Sequence, residues 1–246
     1  MKVFMIAFAA IVVASLATIA GVSVSRNAPA SEPVHETRAL SGFHRIEIAG
    51  QATVILVQGD SEGVSVDAPA SIQVQTDVHD GKLDIEVSDR HHGWQWFGRS
   101  SNRSPRITIN LRQLERLETA GAVSVGADKL QGDALRFDLA GASSLRIGEL
   151  QATKLRLDGS GATKIEIAGK VARQDVDLSG AGSYAAAQLV SDDASVEVSG
   201  AGKAVVNARN TLAVEISGAG KVEYVGDPKL KQTISGIGKV ARREGS

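Results

Sequence analysis

Two stretches of the chain set glycines beside a lysine, VSGAGKAV (198–205) and ISGAGKVE (216–223). Glycine-rich backbone and an ammonium can together cradle a phosphate where a strand turns into a helix. That chemistry also needs a hydroxyl after the lysine to hold Mg²⁺. Here Ala204 follows Lys203 and Val222 follows Lys221. No helical pattern follows either lysine. No nucleotide site is expected, and the glycines need another explanation.

A second set of chemical groups is acidic and evenly spaced: Glu118, Asp138, Asp158, Asp177, Glu197 and Glu215, with Thr233 in the next equivalent place. Carboxylates in a row can hold cations or glycan hydroxyls, and a matched pair can cleave glycosidic bonds. Arg116, Arg136 and Arg156 stand two residues before the first three acids. The plain alternative is a solvated face of mixed charge. The even repeat singles out no catalytic pair.

The five histidines, His35, His44, His79, His91 and His92, form no HExxH or similar ligand spacing. Only the adjacent His91 and His92 could take up a metal, and then opportunistically. The segment RHHGWQWFGRSSNR (90–103) holds both tryptophans of the chain. Trp94, Trp96 and Phe97 could cap the end of an apolar core, form a structureless tip, or stack on a sugar or partner. They are the candidate binding residues. No catalytic residue, metal or cofactor is expected.

The elements that must position these groups follow from a repeat. The stretches TAGAVSV, LAGASSL, GSGATKI, LSGAGSY, VSGAGKA, ISGAGKV and ISGIGKV share Gly121, Gly141, Gly161, Gly180, Gly200, Gly218 and Gly236. A period close to 20 residues marks a solenoid, in which each repeat buries its apolar face on its neighbours. Apolar and polar residues alternate on both sides of each glycine, as in LRLDGSG (155–161) and TKIEI (163–167). Period 2 means half-buried strands. The predicted fold is all-β: a right-handed parallel β-helix, or β-solenoid, with coils of about 20 residues and strands about 4.8 Å apart. LRQLERLE (111–118) reads as strand or turn, with a helical turn as the alternative. Residues 41–112 carry the same alternation without the glycine repeat and read as atypical early coils and a cap. HDGK (79–82) reads as a hairpin turn. Residues 113–242 hold the glycine-turn repeats, so 41–242 form one solenoid domain.

Ahead of that domain, only Lys2 interrupts the apolar run before Arg26. Residues 1–30 read as a signal peptide, or as an uncleaved anchor. Residues 31–40 read as a flexible leader. The chain has no cysteine, which rules out disulfides, a cysteine lipid anchor and thiolate metal sites. Beyond residue 30 it carries 25 basic and 28 acidic residues. No basic excess exists for nucleic acid.

Residues 41–240 resemble the family of putative auto-transporter adhesins with a head GIN domain. The resemblance rests on FHRIEIAGQATVILVQGD, VQTDVHDGKLDIEV and PRITINLRQLERLETAG, in that order, and on the recurring SGAG or SGIG turns. It implies a right-handed β-helix in a bacterial cell envelope and brings no catalytic residues. The aromatic insertion at 90–103 departs from the pattern. The expected function is a non-enzymatic, adhesin-like surface protein, exported to the periplasm, outer-membrane surface or exterior. Its expected partners are a glycan, the cell wall or an envelope protein. The membrane enters only through an uncleaved N-terminus, and oligomers are compatible with open solenoid ends. The alternatives are a polysaccharide-acting enzyme and an envelope stress or regulatory component.

Overall fold

The computed structural model describes residues 34–89 and 104–243. The segment read as a signal or anchor, 1–30, lies outside the described residues. The described residues contain strands and no helix. They form a β-solenoid of about six turns built from coils of about 20 residues.

The regular part comprises β7 (Arg116–Gly141), β8 (Ser144–Gly161), β9 (Lys164–Gly180), β10 (Ser183–Gly200) and β11 (Lys203–Gly218). Each bends through corners, and each pairs in parallel with the next. Below them, β12 (Lys221–Val225) and β14 (Lys239–Arg242) continue one face. The strand β13 (Lys229–Gly236) continues the other by pairing with β11. Alternation is kept throughout: Leu117, Phe137, Leu157, Val176, Val196 and Val214 point inward and are buried. The core is mainly aliphatic, with Phe43, Phe137 and Tyr184 as its largest buried side chains.

The glycines make the corner. All seven have φ between 88° and 125°, a region that side chains bearing a Cβ rarely adopt. At Gly161 a Cβ would also sit 2.6 Å from the carbonyl oxygen of Gly141. The corner is tied by hydrogen bonds between rungs, such as Ala162 N–H to Gly141 O at 2.9 Å and Ala181 N–H to Gly161 O at 2.9 Å. Positive φ and close stacking of backbone both demand glycine. The SGAGK stretches are therefore corners of coils. Lys203, Lys221 and Lys239 stack in register just beyond them.

The early region is built on β2 (Arg45–Gln58), which pairs in parallel with β7, with β5 (Lys82–Asp89) and with β6 (Arg106–Leu111). The hairpin of β4 (Ile72–His79) and β5 turns at Asp80 and Gly81, with φ of 50° and 74°. β3 (Gly63–Ala68) runs antiparallel to β6. β1 (Val34–Arg38) runs antiparallel to β3. The stretch expected to be a flexible leader thus contains an edge strand. It was missed because four of its five residues are exposed and none belongs to the main core. LRQLERLE is strand at both ends with a turn between.

Candidate binding face

One lateral face carries the carboxylates. The register sets Asp84 opposite Glu47, Glu47 opposite Glu118, Asp138 opposite Asp158, and Asp158 opposite Asp177. Glu197 and Glu215 continue the row to Thr233. The structure brings every acid of the predicted ladder onto this face. It adds two that the sequence reading missed, Glu47 and Asp84. A signal for the first existed: RIEIAG (45–50) matches RLETAG (116–121), and Gly50 is a further corner, with φ 109°. The inserted strands β3 to β6 separate these matching hexapeptides and hide the period.

Like charges on adjacent rungs repel, and the first half of the row answers with interleaved cations. Lys82 lies 2.8 Å from Glu47 and 2.9 Å from Asp84. Arg116 Nε donates to Asp138 at 2.7 Å and also pairs with Glu118 at 3.0 Å. Arg136 bridges Asp138 at 2.9 Å and Asp158 at 2.8 Å. Arg156 closes the series on Asp158 at 3.3 Å. Burial pushes the Asp138 carboxyl up, but hydrogen bonds from Arg136 and Arg116 outweigh it and hold it below the usual carboxylate value. Hydrogen bonds to Glu47 and Asp84 push the Lys82 ammonium upward.

The arginine row stops at Arg156. On the next rung its place is taken by Asp175, which pairs with Arg173 at 3.0 Å. Among the described residues no cation lies within ion-pair range of Asp177, Glu197 or Glu215. Partial burial, reinforced by the charge of Asp158, raises the Asp177 carboxyl despite Arg156 nearby. Glu47, Glu118, Asp138, Asp158 and Asp177 line a shallow groove of about 310 Å³ along this face.

The carboxylates are distributed, one per rung, and converge on no single point. Among the described residues no group of three His, Cys, Asp or Glu has metal-binding geometry. Trp94, Trp96 and Phe97 lie outside the described residues, as do His91 and His92. The other histidines meet acids at the early end: His35 with Asp67 at 2.5 Å, His44 with Glu115 at 3.6 Å, and His79 with Asp77 and Asp84 at 3.2 Å each.

Several crystal structures share this architecture. A putative adhesin from Bacteroides fragilis NCTC 9343 matches with a TM-score of 0.77 and 20% identity, over 87% of this chain and 99% of that one. A putative lipid binding protein from Parabacteroides distasonis ATCC 8503 matches with a TM-score of 0.66 and 21% identity, over 87% and 97%. A putative adhesin from Parabacteroides merdae ATCC 43184 matches with a TM-score of 0.64 and 18% identity, over the same shares. At these identities the likeness is one of fold. No curated protein sequence matches significantly. The sequence model of one family matches residues 42–228, and the chain belongs to that family, "Putative auto-transporter adhesin, head GIN domain".

Proposed function

We propose that the chain is a non-enzymatic, exported cell-envelope protein that binds a linear envelope glycan along its carboxylate–guanidinium face. The observation that carries this reading is the repeat of polar groups at rung spacing along an open groove. A polymer laid along the axis would meet a similar set of hydrogen-bonding groups about every 4.8 Å. The Arg116, Arg136 and Arg156 guanidinia donate, and the acids between them accept. The family's description as adhesins and the solved structures described as adhesins agree with a surface role. The tryptophans at 94 and 96, with Phe97, would add stacking surfaces.

Binding of solubilised envelope glycans to the wild type and to an Arg136→Ala/Arg156→Ala variant tests the face. A Trp94→Ala/Trp96→Ala variant tests the aromatic segment separately. Equal retention by wild type and the arginine variant sinks the role of the face, provided both melt as folded β-proteins.

One observation favours a second reading, a polysaccharide-acting enzyme. Asp138 is pushed down and Asp177 up within one groove, the kind of divergence that assigns base and acid. Release of reducing ends from envelope glycans, lost in Asp177→Asn, would establish it. Absence of any release by the wild type removes it.

A further inference from the structure

Five large apolar side chains are exposed among the described residues, and four of them lie at the two ends of the solenoid. Val34 (52% exposed) is on β1 at the early end. Leu230 (38%), Ile234 (39%) and Ile237 (89%) are on the last coil. Ile237 stands where the six preceding repeat corners have alanine, at 122, 142, 162, 181, 201 and 219. Among the described residues both ends also present strand edges without a partner: β1 pairs only with β3, β4 only with β5, β13 only with β11 and β14 only with β12.

The ends carry opposite charge. The described residues of the early region, 34–89 and 104–112, hold ten acids against Arg38, Arg45, Lys82, Arg106 and Arg112. Residues 203–243 hold eight basic residues against Glu215, Glu223 and Asp227. A tail-to-tail pair would set the two basic ends against each other.

We propose that copies of this chain stack head to tail along the solenoid axis, the last coil of one pairing with the first strands of the next. Strand directions suit this without rotation of either face. β1 is antiparallel to β3 and β3 to β6, so β1 runs with β6, β2 and every later strand of that face, β14 included. β4 is antiparallel to β5 and therefore to β13 on the opposite face.

The side chains match in phase. On β4, Val74, Thr76 and Val78 share the inward side with their partners Val87, Ile85 and Leu83. On β13, Leu230, Gln232 and Ile234 stack beneath the buried Leu212, Val214 and Ile216. Antiparallel pairing of Leu230 with Val78 and Ile234 with Val74 puts Lys231 opposite Asp77. Asp77 already faces Asp84 across its hairpin, so Lys231 relieves a like-charge contact.

On the other face, Val34 and Glu36 fall opposite Val240 and Arg242 in parallel register. Glu36 and Arg38, ion-paired at 2.7 Å, share the inward side of β1 with the buried Val66 and Val64 that they oppose. Charges there deter unselective strand addition but accept a strand bearing Arg242. The interface is heterologous and does not close, so it propagates a linear assembly.

The absence of cysteine makes a clean test. Full-length Asp77→Cys and Lys231→Cys chains are mixed and oxidised. A disulfide-linked dimer is expected from the mixture and from neither variant alone, because opposed residues of paired strands come within bridging distance. The doubly substituted chain should give a ladder of multimers. Cross-linking of Lys231→Cys with itself would indicate tail-to-tail contact and overturn the proposal. So would a mixture that links no more than Lys231→Cys mixed with Lys129→Cys. As a second measurement, Lys231→Asp should weaken association about tenfold, and Lys231→Asp with Asp77→Lys in one chain should restore it. No restoration, with unchanged melting, also overturns the stack.

Discussion

Coils around residues 116–158 and coils around residues 173–215 share a corner, a period and a set of inward positions, yet they differ inside and out. The earlier coils are mainly apolar within, apart from the buried Thr119 and Ser143 pair, and ion-paired without: Phe137, Leu155 and Leu157 fill the core, and Arg116, Arg136 and Arg156 thread the carboxylates. The later coils reverse this. Their ladder acids Asp177, Glu197 and Glu215 lack the arginines, and their core holds a polar cluster. Tyr184 Oη donates to Gln174 Oε1 at 2.8 Å, Gln174 Nε2 donates to Ser191 Oγ at 2.8 Å, and Ser191 Oγ donates to Asn207 O at 2.8 Å. Gln174 and Ser191 are wholly buried, and burial drives the Tyr184 hydroxyl's pKa upward. The solenoid fixes where side chains point, and it leaves each coil free to place its polar groups inside or outside.

The shared corner gives the largest expected effect and the control. Gly161→Ala and Gly200→Ala should each cost about 4 kcal/mol, since both force a Cβ into positive φ and against a carbonyl oxygen 2.6 or 2.7 Å away. Equal losses in denaturant melts mean that the two halves differ only in their side chains. A cost at one corner less than half that at the other would show that the halves differ in backbone as well.

Next in size is the buried cluster. Gln174→Ala removes two hydrogen-bonding partners, leaves the Tyr184 hydroxyl unpaired and opens a cavity, for a loss of about 3 kcal/mol. Tyr184→Phe keeps the shape and should cost about 1 kcal/mol. The matching change in the earlier half is Leu155→Ala, at the same register position as Gln174. Similar losses from both would make the cluster a substitute for apolar packing. A Gln174→Ala loss well below that of Leu155→Ala would make it a tolerated exception.

Much of this contrast was open to view in the sequence. The glycine period fixed the coil, and alternation fixed which residues face inward, so Gln174 could have been found by aligning RQDVDLSG (173–180) with KLRLDGSG (154–161). The acid ladder follows from the same alignment. What it lacks is the pairing between rungs: that Arg136 reaches Asp158 on the following coil is a matter of side-chain length and lean. β1 escaped because an edge strand that buries little of itself leaves a weak pattern. Glu47 escaped because β3 to β6 break the period.

The outer ladder gives smaller effects. Arg136→Ala should cost about 1 kcal/mol at neutral pH, the exposure of its side chain limiting the loss. It leaves Asp138 and Asp158 facing each other with one fewer cation. Added salt should shrink the difference from wild type. A loss that ignores salt would mean that Arg136 acts by packing its stem and not through its charge.

Asp177→Asn should act in the opposite direction, and its pH dependence separates the halves most clearly. Asp138 has a lowered folded pKa, so its stabilisation is present above the ordinary carboxylate value and fades as pH falls through the folded pKa. Asp177 has a raised one, because burial and the neighbouring Asp158 disfavour its ionised form. The fold therefore loses stability as pH rises from the ordinary carboxylate value through the Asp177 folded pKa. Asparagine removes that cost. The variant should equal wild type near pH 3 and exceed it by a few tenths of a kcal/mol at pH 7. Asp138→Asn should fall below wild type at pH 7 and approach it in acid. If both variants are destabilised at pH 7, Asp177 has a cation partner after all, and the later coils neutralise their acids as the earlier ones do.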